Sequence, residues 1–227
     1  MTKHVAIVHY NTPELTVAAI KSIWKNVPDA KVTVFDNSDK RPFPPMGGVL
    51  VVDNTSGQVV DFDKMLDKYP NKIPTACNWG SEKHIASVEY MMDMFPAGFV
   101  LADSDILVKA DFSSFYDESV AWVGGIEHHP KFWFQAVRCY PFLLWVNVPM
   151  LRENGIRFFH EGYVYKMSHM GQPPYYDTGG SLLKDCDEAG LPGREVNLDD
   201  YIKHLGGASC YKTNWEEWLK LNRNLYE

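Results

Sequence analysis

The opening of the chain allows few folds. HVAIVHY (4–10) is a continuous apolar run of strand length, TPELTVAAIKSIW (12–24) carries apolar residues at helical spacing behind a Thr-Pro start, and KVTVFDNS (31–38) is a second strand-length run. Strand, helix and strand within some 35 residues predict a βαβ unit. Its right-handed crossover makes the two strands parallel, and a parallel sheet offers its ligand crevice at the C-terminal ends of its strands. Both runs end there in polar residues, Tyr10-Asn11-Thr12 and Asp36-Asn37-Ser38.

FVLADSDILV (99–108) adds the next constraint, because two carboxylates, Asp103 and Asp105, interrupt an apolar run. Burying an unpaired carboxylate costs several kcal/mol, roughly, so the pair is predicted at a strand end facing water, a cation or a reacting group. Around this run, RPFPPMGG (41–48) reads as a surface loop, VLVVDN (49–54) as a third strand, and SEKHIASVEYMMDMF (81–95) as a helix leading into the Asp103 strand. The back half is less regular. VAWVGGIEHH (120–129), FWFQAVRCYPFLLWVNVPMLRENG (132–155) and IRFFHEGYVYK (156–166) read as strands and a short helix, TGGSLLKDCDEAG (178–190) as a helix, and YIKHLGGASC (201–210) as the final segment considered. His128 and His129 are adjacent, so on a strand they point to opposite faces and are unsuited to share one ion.

The 227 residues, 45% of them hydrophobic, suffice for one well-cored α/β domain. There is no apolar run of about twenty residues, and no basic region with an apolar core precedes HVAIVHYN. The expectation is a soluble, cytoplasmic protein, with peripheral membrane association left open. Cys77, Cys139, Cys186 and Cys210 lack C-x-x-C spacing, which suggests neither a zinc site nor a disulfide framework and fits a reducing compartment. A net charge of −7 argues against a nucleic-acid partner. A small anionic substrate would need a metal or local cations.

Taken together, VHYNTPELT at the first strand and helix, VFDNS at the second strand, SEKHIASVEYMM before the central strand, LADSDILV with its D-x-D, and YIKHLGGAS near the end resemble the nucleotide-sugar glycosyltransferases of the GT-A fold, family 2 in particular. The resemblance spans most of the chain in the family's order. It implies a Rossmann-like, mostly parallel sheet flanked by helices with a small C-terminal acceptor-side subregion. It also implies a single domain, 1–227, with a nucleotide-sugar-binding half (1–108) and an acceptor-side half carrying a C-terminal metal ligand (109–227).

The activity implied is transfer of a hexosyl or deoxyhexosyl unit from a nucleoside-diphosphate sugar, a UDP- or dTDP-sugar by preference, to a hydroxyl of a carbohydrate or glycolipid acceptor, with inversion, as in polysaccharide biosynthesis. By the family's pattern Asp105 is a direct ligand of Mn²⁺ or Mg²⁺, Asp103 a ribose contact or partner through water, and His204 the second protein ligand. The bland reading of His204 is a partly buried histidine capping the chain near Gly206 and Gly207. Tyr10, Asn11, Thr12 and Glu14 fall where the family's first loop wraps the base, and Asp36 where a carboxylate accepts a pyrimidine N3–H; turn chemistry would equally explain Asn37 and Ser38. Ser81 and His84, one turn apart, would face the diphosphate, though a solvated or core-lining helix face serves for Ser81 equally well. The general base implied is Asp177, against an N-cap reading, with Glu161 and Glu127 in reserve. The family's usual E-D pair is absent at this point, Tyr176 standing for the first acid. Aromatic stretches in 131–145 and 158–166 could stack on sugar rings but are more often core.

Two other classes remain open on sequence. VLADSDILV also resembles the strand and D-x-D of haloacid-dehalogenase-type phosphatases, with Asp103 as nucleophile, although there the motif ends the first strand. A non-catalytic nucleotide- or carbohydrate-binding module would keep the fold without a base.

Overall fold

The computed structural model describes residues 2–67, 76–130, 135–159, 176–207 and 214–227. Its front half runs β1 (His4–His9), α1 (Pro13–Asn26), β2 (Lys31–Asp36), β3 (Val49–Asp53), α2 (Phe62–Asp67), α3 (Ala76–Met94), β4 (Phe99–Asp103) and β5 (Ile106–Val108). The back half adds β6 (Trp122–Gly124), β7 (Ile126–Glu127), β8 (Arg138–Cys139), β9 (Leu143–Val146), α4 (Val148–Glu153), α5 (Gly180–Glu188), β10 (Gly193–Glu195), β11 (Ile202–His204) and α6 (Trp215–Leu221).

A seven-stranded sheet has the order β10-β6-β9-β4-β1-β2-β3. β1 pairs parallel with β2 and β4, β2 with β3, and β10 with β6, while β9 alone runs antiparallel between β4 and β6. Both faces are covered, which is why the central strands read as unbroken apolar runs rather than alternating ones. Along β1 and β4 the alternation is between two cores. Val5, Ile7, Val100 and Ala102 pack with Ile20, Ile23 and Val27 of and beside α1; Ala6, Phe99 and Leu101 pack with Ile85, Val88, Met91 and Met92 of α3 and with Leu182 and Cys186 of α5.

α1 begins with Pro13 in its first turn, has Glu14 there too, and ends near Lys25, an order that suits the helix dipole. Gly98 makes the turn from α3 into β4 at φ +100°. A Cβ there would lie 2.6 Å from the Trp145 ring and 2.7 Å from the Val146 carbonyl oxygen. Only glycine fits, so the entry to the Asp103 strand is set by a close backbone approach.

Several sequence expectations change. FVLADSDILV is not one strand, because it turns at Ser104-Asp105 and divides between two sheets, β5 pairing antiparallel with β11. VAWVGGIEHH likewise divides at Gly125, where β7 leaves the main sheet to pair with β8. α3 starts earlier than expected, at Ala76. Residues 156–159 do not form a strand; the Phe158 and Phe159 N–H groups donate to the Glu89 carboxylate at 2.7 and 3.0 Å instead of to a neighbouring strand. The rest of that expected strand, 160–166, lies outside the described residues, as do 131–134. No helix among the described residues is long and apolar enough to cross a membrane.

Candidate active site

Asp103 ends β4, Asp105 follows in the turn, and His204 ends β11. The β5–β11 register sets His204 opposite Ile106, and the Leu205 N–H donates to the Asp105 carbonyl at 3.0 Å, which locks the C-terminal segment beside the turn. One ligand atom from each of Asp103, Asp105 and His204 lies within 4.8 Å of the others. His204 Nε2 is 3.3 Å from Asp105 Oδ1, and His84 Nε2, reaching over from α3, is 3.7 Å from Asp103 Oδ1. Phe142 packs on the His204 ring at 3.8 Å between centroids, and its carbonyl accepts the Asp103 N–H at 3.1 Å.

The electrostatics are those of charges crowded out of water. Burial, and then the charge of Asp105, push the Asp103 carboxyl up to about 7 against the opposing pull of His204 and Arg138. His204 rises: burial opposes its protonation, but the hydrogen bond and charge of Asp105, with the charge of Asp103, outweigh burial. Burial brings His84 down to about 4, so its imidazole is neutral at neutral pH, and its buried Nδ1 has no partner among the described residues. Two carboxylates and an imidazole in a partly buried cluster form a donor set that fits a divalent cation, the nitrogen favouring Mn²⁺ more than an all-oxygen set does.

The first loop is held mainly by its own polar groups. Asn11, at φ +56°, donates from Nδ2 to Asp39 Oδ1 at 2.6 Å, accepts the N–H groups of Lys40 and Arg41 on Oδ1, and donates its own N–H to Ser38 Oγ at 3.0 Å. Asp36 is 2% exposed; one oxygen accepts the Ser38 N–H at 2.9 Å and the other the Phe43 N–H at 2.7 Å. Both residues thus fold the 37–43 loop. Glu14 pairs with Arg41, Tyr10 is exposed, and Thr12 Oγ1 lies 3.4 Å from Ser104 Oγ, joining this loop to the Asp103 turn. Ser81 sits half-buried on α3 one turn before His84.

Asp177 is not the N-cap of α5. Gly179 is, at φ +87°, where a Cβ would fall 2.2 Å from the Cys139 carbonyl oxygen; the helix begins only at Gly180, so the N-cap reading of Asp177 fails. The Asp177 carboxylate accepts the Thr178 N–H at 2.7 Å and a hydrogen bond from Arg138 Nη1. Arg138 Nε donates at 2.6 Å to Glu127, which also accepts from Gln135 at 3.0 Å. Two of the three candidate bases therefore meet on one guanidinium, whose charge also reaches Asp103 and His84. Glu161 lies outside the described residues. Arg138 went unnoticed in the sequence, although a cation inside an apolar run is a signal that it has a buried partner. His128 pairs with Glu195 at 2.8 Å. Cys139 and Cys186 are free buried thiols.

No family model matches the chain, and no curated protein does. Solved structures do. An active-site mutant of the galactosyltransferase LgtC aligns with a TM-score of 0.54 at 13% identity over 86% of this chain and 73% of LgtC. The glycosyltransferase GlyE of Streptococcus pneumoniae TIGR4 aligns with a TM-score of 0.51 at 8% identity, covering 99% of this chain and 50% of GlyE. The architecture is that of the GT-A glycosyltransferases, a mostly parallel sheet between helical layers.

Proposed function

We propose that this protein is a glycosyltransferase that moves a sugar from a nucleoside-diphosphate sugar to an acceptor hydroxyl. The observation that carries the reading is the convergence of Asp103, Asp105 and His204 at the C-terminal edge of a GT-A sheet. When bound by these three residues, a divalent ion would neutralise negative charge that grows on the departing diphosphate. Asp105 and His204 are the direct ligands in this proposal, and Asp103 shares the ion or the ribose.

The chain's own groups supply the rest. Tyr10 and Glu14, at the mouth of the first loop, flank the base, while Asn11 and Asp36 fold the 37–43 loop beside them. A UDP- or dTDP-sugar is the donor the resemblance favours. His84, neutral, and Ser81 line the α3 side of the diphosphate. In an inverting transfer a carboxylate takes the proton of the acceptor hydroxyl as its oxygen attacks the anomeric carbon and the diphosphate leaves. Asp177 is that base, held in place by Arg138, with Glu127 on the same guanidinium.

That pairing favours one second reading, a nucleotide-sugar-binding module without transfer, because Arg138 engages both described candidate bases. Calorimetric titration of UDP, dTDP and GDP with Mn²⁺ and with EDTA tests the donor site, and donor hydrolysis separates enzyme from module. Equal affinity with and without the metal would remove the cation from the proposal.

A further inference from the structure

A cavity of about 660 Å³ opens beside the cation cluster and shares His204 with it. It falls in the range of about 300–1,000 Å³ typical of small-ligand sites. On one side lies a ladder of rings: Tyr140 stacks on Phe142 at 4.7 Å and 20°, and Phe142 packs in turn on His204. Phe142 is therefore engaged by two neighbours, and Tyr140 ends the ladder. The Tyr140 hydroxyl makes no hydrogen bond with the described residues, and Ile126, next to Glu127 on β7, lines the cavity, which therefore adjoins the base cluster as well as the cation cluster.

The rest of the lining is apolar at Ile126, Leu198 and Ile202, with Glu195, Asn197 and Asp199 exposed at the rim. An aromatic ring beside acceptor-rich carboxylates and a carboxamide matches a pyranose, whose C–H face is apolar and whose edge carries hydroxyl donors. No Lys or Arg lines the cavity among the described residues. Glu195 and Asp199 would repel an acidic sugar at the rim, and His204, the one basic side chain of the lining among those residues, is engaged with Asp105.

We infer that this cavity is the acceptor subsite and binds an uncharged or amino pyranose at the end of the acceptor, with its ring on Tyr140 and its hydroxyls on the rim. The inference rests on the glycosyltransferase reading and deepens it. Wild-type protein with Mg²⁺ and a saturating nucleoside diphosphate is examined by saturation-transfer NMR against methyl glucoside, galactoside, mannoside and N-acetylglucosaminide, with methyl glucuronide as the charged control. At least one neutral glycoside is expected to bind with about millimolar affinity and the glucuronide not at all. Tyr140→Ala, which removes the stacking ring, and Asp199→Trp, which fills the exposed rim without touching the ladder, should each cut the signal by about tenfold or more. The subsite is overturned if no neutral glycoside binds, if Asp199→Trp leaves the signal unchanged, or if the nucleotide displaces the glycoside. Failure of the parent reading looks different: no nucleoside diphosphate then binds to the wild type with Mg²⁺ or Mn²⁺ in calorimetry, whatever the saccharides do in its absence.

Discussion

Arg138 is hydrogen-bonded through its guanidinium Nη1 to the carboxylate of Asp177, and through Nε to Glu127, so one cation organises two acids fifty positions apart in the chain. Arg138 is 13% exposed, and Glu127 and Asp177 are 15% and 20% exposed. Removing one partner of a largely buried ion pair is costly because the other is left uncompensated. Arg138→Met is expected to lower stability by about 3 kcal/mol in urea unfolding and to impair transfer, and Arg138→Lys, lacking the fork, to restore stability only in part.

Asp177 and Glu127 can be told apart by amide replacement. Asp177→Asn keeps the contact with the Thr178 N–H yet removes a base, and is expected to slow transfer by about 10²–10⁴-fold while UDP affinity holds. Glu127→Gln is expected to lose much less. Steady-state rates with a known acceptor decide, and an inverted ranking of the two variants makes Glu127 the base.

Cation binding should be visible without any turnover. A ligand that binds only the folded state at a hundred times its Kd stabilises by about 2.7 kcal/mol, so Mn²⁺ is expected to raise the Tm of the wild type and EDTA to reverse the rise. Asp105→Ala and His204→Ala should abolish the shift, because each removes a donor of the cluster. A shift that survives both substitutions places the ion elsewhere.

Asp36 is expected to behave as a loop clamp. Its two oxygens hold the N–H groups of Ser38 and Phe43 in a buried setting, and stranding such donors costs about 1–3 kcal/mol. Asp36→Ala should unfold earlier by that amount and weaken UDP and CDP alike. A loss confined to UDP would give Asp36 the base-reading role.

Acid stability should trace to Glu89. Burial pushes its carboxyl up, but the Phe159 N–H, Arg152 and Arg157 outweigh burial and hold it below the ordinary 4.5. A carboxyl depressed in the folded state contributes stability that is present in full above 4.5 and is lost as pH falls through its lower folded value. Glu89→Gln should cost about 2 kcal/mol at pH 7 and flatten the acid limb of a Tm-against-pH curve.

Local pattern carried the front half of the molecule. The apolar runs of β1, β2 and β4 and the helical spacing of α1 depend on neighbours in sequence, so strand, crossover and the Asp103 strand end were legible there. β10 was not, because Gly-Arg-Glu has no apolar signature and pairs only through its backbone with β6. The division of 99–108 between two sheets was hidden for a related reason: Ile106–Val108 is as apolar as Phe99–Ala102, and only the distant Ile202–His204 segment gives it a different partner. Within the site, the D-x-D and His204 could be named by resemblance. The meeting of Glu127, Arg138 and Asp177 could not, since it depends on how the β7–β8 hairpin lies against the start of α5.

The turn at Ser104-Asp105 makes the order of assembly matter. A growing chain that has reached β9 already holds both aspartates and the centre of the main sheet, yet it lacks the imidazole, which arrives about a hundred residues after Asp103. Closing so long a loop is entropically slow and comes late. The three-residue strand β11 must dock before the third donor is in place, so an ion held by all three would act as a rivet between the two sheets. Amide exchange at Lys203 and Leu205, whose N–H groups face the β5 segment, should accordingly slow on adding Mg²⁺, while exchange in the middle of β1 stays as it was.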